Sequence, residues 1–285
     1  MNNAVNSDMS EFWNGAGGEK WLRFQESTDL NLRPFSEKTI AAANLLPGEA
    51  VLDIGCGCGD TSFEIARLTG ETGRVFAIDI SAPILRRARA LAKSGSGKNV
   101  RFECGDAQTY NFNPGTFNLV FSRFGVMFFD DPVAAFTNLH TALKPGGRTA
   151  FICWQPLLEN EWIKTSLDVV AHYLPLPEPS GPDEPGPMSF GDPARVKHIL
   201  TASGFSNVNF ESCDTAFTIG RNIDEAATFL MQLGPAGAVI NQSEADDAVK
   251  ENIAKEMCEA LEPFTTKAGV TLGAATWIVT AQKAD

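Results

Sequence analysis

Three aspartates and one run of alternating glycines hold most of the chemistry that this sequence offers. Asp53, Asp79 and Asp106 each close or follow an apolar, β-rich run, and Gly55-Cys56-Gly57-Cys58-Gly59-Asp60 begins two residues after the first of them. Without Cβ atoms such a turn takes positive φ and lets a bound molecule approach the main chain, while the helix behind it points free N–H groups outward. A carboxylate at the end of a second parallel strand is placed as such sheets present one to a ribose diol. Asp79 stands 20 residues after Gly59, where a second strand would end. The glycines depart from the dinucleotide pattern G-x-G-x-x-G, because the third comes four residues after the first and Asp60 takes the fifth place. Cys56-x-Cys58 is not a zinc spacing, and a tight turn needs small side chains anyway, so no metal is expected.

These residues need a sheet to hold them. Apolar, β-branched runs predict strands at residues 51 to 54, 74 to 79, 100 to 104, 117 to 122 and 149 to 154, with later ones at 208 to 213 and 275 to 281. Helices are predicted between them: 61 to 68, 81 to 92 with Ser81 as cap, 133 to 143 behind Asp131-Pro132, and 192 to 203 behind Asp192-Pro193. Asp130-Asp131 is thereby read as helix capping rather than as a metal site. Residues 1 to 18 are expected to be a mobile arm, followed by helices at 19 to 26 and 35 to 45. Two stretches break the rhythm. Residues 155 to 190 hold a helix expected at 162 to 173 and then six prolines, Pro175, Pro177, Pro179, Pro182, Pro185 and Pro187. Residues 222 to 262 read as two or three helices.

The constellation Asp53-Ile-Gly-Cys-Gly-Cys-Gly59, Asp79, Asp106-Ala107 and Leu143-Lys-Pro-Gly-Gly147 resembles the class I S-adenosylmethionine-dependent methyltransferases, over roughly residues 45 to 215. It is most similar to the small-molecule branch that includes the ubiquinone and menaquinone biosynthesis enzymes; their quinol substrate does not carry over, since the rest of the chain departs from them. The resemblance implies an α/β fold, a Rossmann-like, doubly wound, seven-stranded and mostly parallel sheet with helices on both faces and helical cap insertions. It also implies a helical lid over the cofactor at 1 to 46 and a methyltransferase domain at 47 to 285, with caps at about 155 to 190 and 222 to 262.

By the same resemblance the cofactor is S-adenosyl-L-methionine and the product S-adenosyl-L-homocysteine. Asp79 would take the ribose hydroxyls, with Ile80 beside it. Asp106 would take the adenine amino group, and Ala107 would give a backbone N–H. Gly55, Cys56 and Gly57 would face the methionine portion, Ser122 would offer its carbonyl, and Asp53 would orient the ammonium. The alternative for Asp53 is to cap the turn, and for Trp13 and Trp21 merely to pack on the domain. On the acceptor side stand Arg123, Phe124, Met127 and Trp154. Arg123 would bind an acidic group or pair with Asp130 or Asp131, and the apolar residues would line a pocket or fill the core. Sulfonium leaves readily, so alignment and exclusion of water can suffice without a general base. His172, beside Tyr173 in the first insertion, is the histidine best placed for one, and Arg123 is the other candidate for catalysis.

A chain of 285 residues with 35 acidic and 23 basic side chains carries a formal charge of −12, which repels a phosphate backbone, so a small-molecule substrate is expected and nucleic acid is not. No apolar run reaches the roughly 18 to 20 residues of a membrane span, and the first residues lack the pattern of a signal peptide. Six scattered cysteines suit a reducing compartment. A cytoplasmic monomer or homodimer is expected. Two other classes stand against the enzyme reading: an NAD-dependent oxidoreductase on a similar sheet, and a noncatalytic S-adenosylmethionine-binding protein. The first lacks a clear Tyr-Lys or His-Asp arrangement.

Overall fold

The computed structural model describes residues 5–93, 97–178, 181 and 184–284. Its centre is β1 (Ala50–Ile54), buried along its whole length because four of its five side chains are apolar. β1 pairs in parallel with β2 (Arg74–Asp79) on one side and β4 (Phe117–Arg123) on the other. β3 (Val100–Cys104) extends the sheet beyond β2, and β5 (Leu143–Trp154) extends it beyond β4, both in parallel. The far edge is antiparallel: β8 (Gly269–Gln282) lies between β5 and β6 (Ser206–Gly220). The order β3-β2-β1-β4-β5-β8-β6 is the expected seven-stranded, mostly parallel sheet, and the two-residue β7 (Thr265–Thr266) adds only a hairpin on β8. The strand order reverses between β1 and β4, which is where ligands of such sheets sit, outside the carboxyl ends.

Apolar clusters cover both faces. Val51, Val75, Leu119 and Phe121 pack against α4 (Asp60–Thr69) and α5 (Ala82–Lys93) through Ile65 and Leu85. Leu52, Val120 and Phe151 on the opposite face join a larger cluster with α6 (Pro132–Ala142) and α8 (Pro193–Ala202). Asp131 and Asp192 cap these two helices by accepting from Ala134 N and Ala194 N, as their Asp-Pro sequences predict.

Three expectations change. The arm expected to be mobile contains α1 (Ser7–Asn14), followed by α2 (Ala16–Arg23). Trp13 meets Phe128 and Trp21 edge to face, and that aromatic burial offsets the entropy of ordering the arm. The helix expected from residue 35 begins ten residues earlier, as α3 (Gln25–Ala42). Pro34 does not stop it, because a buried stripe including Thr28, Leu32, Phe35 and Ile40 runs past the proline, and packing outweighs one lost hydrogen bond. β6 and β8 are much longer than expected and pair from Ser206 with Gln282 as far as Gly220 with Val270. Polar residues such as Asp214 and Thr218 inside the run hide its alternation.

In the insertions, α7 (Glu161–Ala171) replaces the helix expected at 162 to 173, and the proline-rich stretch after it has no helix or strand among the described residues. Pro179, Pro182 and the Ser94-Gly95-Ser96 break lie outside those residues. Residues 222 to 262 form α9 (Ile223–Gln232), α10 (Gly234–Gln242) and α11 (Asp247–Leu261), which pack on one another and on α7 and β6. No helix among the described residues is long and apolar enough to cross a membrane.

Candidate cofactor site

The glycine turn leaves β1 and is held from three sides. Gly55 N and Cys56 N both donate to Ile78 O of β2, at 2.9 and 3.2 Å. From β4, Ser122 Oγ donates to Ile54 O at 2.9 Å and accepts from Gly125 N at 3.1 Å. Asp79 supplies the third hold, since its Oδ2 accepts from Gly57 N and its Oδ1 from Ser81 N, each at 2.9 Å. Burial pushes the Asp79 carboxyl up, and the backbone donors oppose that shift. Gly55, Gly57 and Gly59 have φ of 63°, 57° and 92°, the left-handed region read from the sequence.

Asp53 lies beneath this turn with no exposed surface. Its Oδ2 accepts from Thr61 Oγ1 at 2.9 Å and Ser62 Oγ at 2.6 Å, both in the first turn of α4. Its Oδ1 is buried and has no hydrogen-bond partner among the described residues. Burial raises the carboxyl to about 6, against the two hydroxyls and Arg123, which lower it. Half of the carboxylate therefore stabilises the turn, and the other half has no donor among the described residues. Cys56 and Cys58 are buried, which pushes both thiols up, Cys58 to about 12, so neither is a ready thiolate.

Asp106 follows β3, and its Oδ1 accepts from Gln108 N and from Asn6 Nδ2, each at 2.9 Å. Ala107 beside it is buried, with its carbonyl accepting from Asn138 Nδ2. Asp53, the glycines, Asp79, Ile80, Asp106, Ala107 and Ser122 thus all gather at the carboxyl ends of β1 to β4. Above them, Trp21 Nε1 would lie 3.6 Å from a Cβ built on Gly57.

On the β4 side the sequence-based expectations need correction. Arg123 does not pair with Asp130 or Asp131. Its Nη1 donates to Asp60 Oδ2 at 2.8 Å and to Ser36 Oγ at 2.9 Å, and its Nη2 to Asp29 Oδ1 at 3.2 Å. Asp130 and Asp131 instead meet the amino-terminal arm and the α6 cap, so Arg123 is a strut between β4, α3 and α4. His172 is exposed, and its Nδ1 pairs at 2.5 Å with Glu256 Oε1 on α11, where Tyr173 also donates to Glu256. This places His172 on an exposed surface shared by α7 and α11.

Phe124, Met127 and Trp154 are all buried. Phe124 has φ of 60°, unusual for a bulky residue, and stacks on Trp154 with centroids 4.4 Å apart. Phe35, Trp162 and Phe217 complete this aromatic wall, and Phe229 of α9 links it to Phe24 at the start of α3. Sequence reasoning missed Asn6, Asn14, Asp29 and the Thr61-Ser62 pair, and no local motif singles out the first three.

The strand order, the glycine turn and the acids at three successive strand ends resemble those of the class I, S-adenosylmethionine-dependent methyltransferase domains. Residues 51–147 match the family model described as a methyltransferase domain. The chain is 33% identical over 115 residues to a demethylmenaquinone methyltransferase of Lactococcus lactis, covering 40% of this chain and 46% of that protein. It is 35% identical over 118 residues to an aklanonic acid methyltransferase of Streptomyces, covering 41% of this chain and 54% of that one. The chain therefore spans about half the length of the curated relatives it matches. Among solved structures, a Haemonchus contortus phosphoethanolamine N-methyltransferase, in complex with phosphomonomethylethanolamine and S-adenosylhomocysteine, superposes with a TM-score of 0.54 at 17% identity. That match covers 88% of this chain and 53% of the other, and shows the fold.

Proposed function

We propose that this protein transfers a methyl group from S-adenosyl-L-methionine to a small, largely apolar molecule by in-line displacement. The observation that carries the cofactor reading is Asp53 Oδ1, fully buried beside the glycine turn and without a partner among the described residues. A buried carboxylate oxygen left unpaired costs about 1 to 3 kcal/mol or more, and an ammonium group with mobile donors suits it. Asp79 would hold the ribose hydroxyls and Asp106 the adenine amino group, while Gly57 would leave room for the methionine portion and Gly55, packed on Gly125, would hold the turn in place beside it. When bound, S-adenosylmethionine supplies a methyl group on a sulfonium, a leaving group that needs no acid. The chain's own part is to align the acceptor and exclude water.

The aromatic wall around Phe124 and Trp154 supports an apolar acceptor. Thr28 Oγ1, Asn31 Nδ2 and Trp162 Nε1 are buried without hydrogen-bond partners among the described residues, which favours an acceptor that also carries a polar atom. The Phe24 to Phe229 contact supports a cap in which residues 222 to 262 meet the lid of residues 1 to 46. Differing names among the relatives give no single acceptor to carry over.

Calorimetry with S-adenosylmethionine, S-adenosylhomocysteine and NAD tests the proposal. Saturable binding of both adenosyl ligands is expected, with methyl transfer in a screen of apolar acceptors. Binding of NAD alone would favour the oxidoreductase. Replacing Asp79 by Ala removes a charged hydrogen-bonding group and should weaken adenosyl binding by about 1.5 to 3 kcal/mol.

A further inference from the structure

One side chain of the amino-terminal arm reaches into the Asp106 end of this site. Asn6 is only 6% exposed, although it stands near the end of the chain, and its φ of 55° is left-handed. Its Nδ2 donates to Asp106 Oδ1 at 2.9 Å and to Gln108 Oε1 at 3.2 Å, while its Oδ1 accepts from Asp130 N at 2.6 Å. Its backbone carbonyl accepts from Ser10 N and so starts α1. Gln108 Oε1 also accepts from Asp131 N at 3.1 Å. A single carboxamide thus joins the arm, the loop after β3 and the loop after β4, with donor and acceptor both satisfied.

At the other end of α1, Asn14 fastens the helix to the loop after β2: its Nδ2 donates to Ile80 O at 3.1 Å and its Oδ1 accepts from Ala82 N at 3.0 Å. Next to these two asparagines lies a cleft of about 570 Å³, walled by Ser10 and Glu11 on the arm and by Ile80, Gly105 and Asp106 on the sheet. The two oxygens of Asp106 are unequally engaged. Oδ1 takes Asn6 Nδ2 and Gln108 N, whereas Oδ2 has, among the described residues, a single long contact, 3.4 Å from Thr109 Oγ1.

We propose that Asn6 is a positioning residue for the purine of the cofactor: by fixing Asp106 Oδ1 it holds Oδ2 ready for an exocyclic amine, and so selects adenosyl over inosyl ligands. The inference rests on the cofactor reading above. A 6-oxo purine puts an acceptor where Asp106 needs a donor, and two facing acceptors repel.

The test is calorimetry of S-adenosylhomocysteine and S-inosylhomocysteine on the wild type, Asn6→Ala, Asn6→Asp and Asn14→Ala. The wild type should prefer the adenosyl ligand by about tenfold or more, and both Asn6 variants should reduce that preference to about threefold or less. Asn14→Ala loosens α1 without touching Asp106, so it should weaken both ligands alike and keep the ratio. An unchanged ratio in the Asn6 variants overturns the proposal, as does an equal fall in Asn14→Ala. Should Asn6→Ala fold poorly, the isosteric Asn6→Asp carries the comparison. If the wild type binds neither ligand, it is the cofactor reading that fails.

Discussion

Gly55 and Gly125 face each other across the mouth of the sheet so closely that neither has room for a side chain. A Cβ on Gly55 would lie 2.8 Å from Gly125 Cα, and one on Gly125 would lie 2.6 Å from Ile54 O and 3.0 Å from Gly55 Cα. The turn after β1 and the turn after β4 therefore meet backbone to backbone, which brings Ser122 and the glycine turn into one rigid unit.

Gly125→Ala should accordingly push the two turns apart. Its φ of −86° is ordinary for alanine, so the cost is one of space rather than of backbone strain. Overpacking of this kind costs about 1 to 3 kcal/mol. Chemical denaturation should show that loss, and calorimetry a matching loss of adenosyl affinity. Full stability with unchanged binding would mean that the two turns move independently.

The strut at Arg123 makes a second prediction. Its guanidinium side chain is 9% exposed and meets Asp29 at 15% and Asp60 at 31%. Burial raises the Asp29 carboxyl, and Arg123 and Gln25 oppose the rise. Removing the cation leaves two carboxylates close together and half buried, so Arg123→Met should cost about 2 to 3 kcal/mol near neutral pH, below the figure for a fully buried pair because Asp60 is part-exposed. The loss should shrink as acid protonates Asp29, and Asp29→Asn in the same chain should restore part of it. A variant as stable as the wild type at pH 7.5 in urea would show that the strut carries no weight.

How much of this is legible in the sequence differs along the chain. The glycine turn, the three strand-end acids and the Asp-Pro caps are local signals, set by φ, by the end of an apolar run or by a single side-chain to backbone bond. The full length of α3 is not legible, because Pro34 is a strong local stop signal, while the packing that overrides it comes from residues such as Phe124, Trp154 and Phe217 far along the chain. Arg123 stands out in the sequence, yet its partners Asp29 and Asp60 lie 94 and 63 residues away, and no spacing rule links them. Asn6 carries no sequence signal because its partners at 106, 108 and 130 meet only in the folded chain.

Asp53 gives the pH prediction. Its carboxyl stands at about 6 in the folded protein against 3.8 for the ordinary group, chiefly because it is buried, with Ser62, Thr61 and Arg123 lowering it and Asp79 raising it. Between about pH 4 and pH 6 the folded state holds this proton more firmly than the unfolded chain does. The contribution of Asp53 to stability is therefore most favourable below pH 4, falls across that window and levels off above pH 6. Keeping the group ionised in the folded protein costs up to about 3 kcal/mol there. Asp53→Asn keeps the shape, and the Thr61 and Ser62 hydroxyls can turn to accept from its amide. The variant should be more stable than the wild type at pH 7.5 and close to it at pH 4.5, as measured by urea unfolding at both values. Binding should move the other way: wild-type affinity for S-adenosylmethionine should fall as pH drops through 6, and Asp53→Asn should bind weakly at every pH. A variant less stable than the wild type at pH 7.5 would show that Oδ1 has a compensating partner. One that binds the cofactor with wild-type affinity would place the ammonium elsewhere.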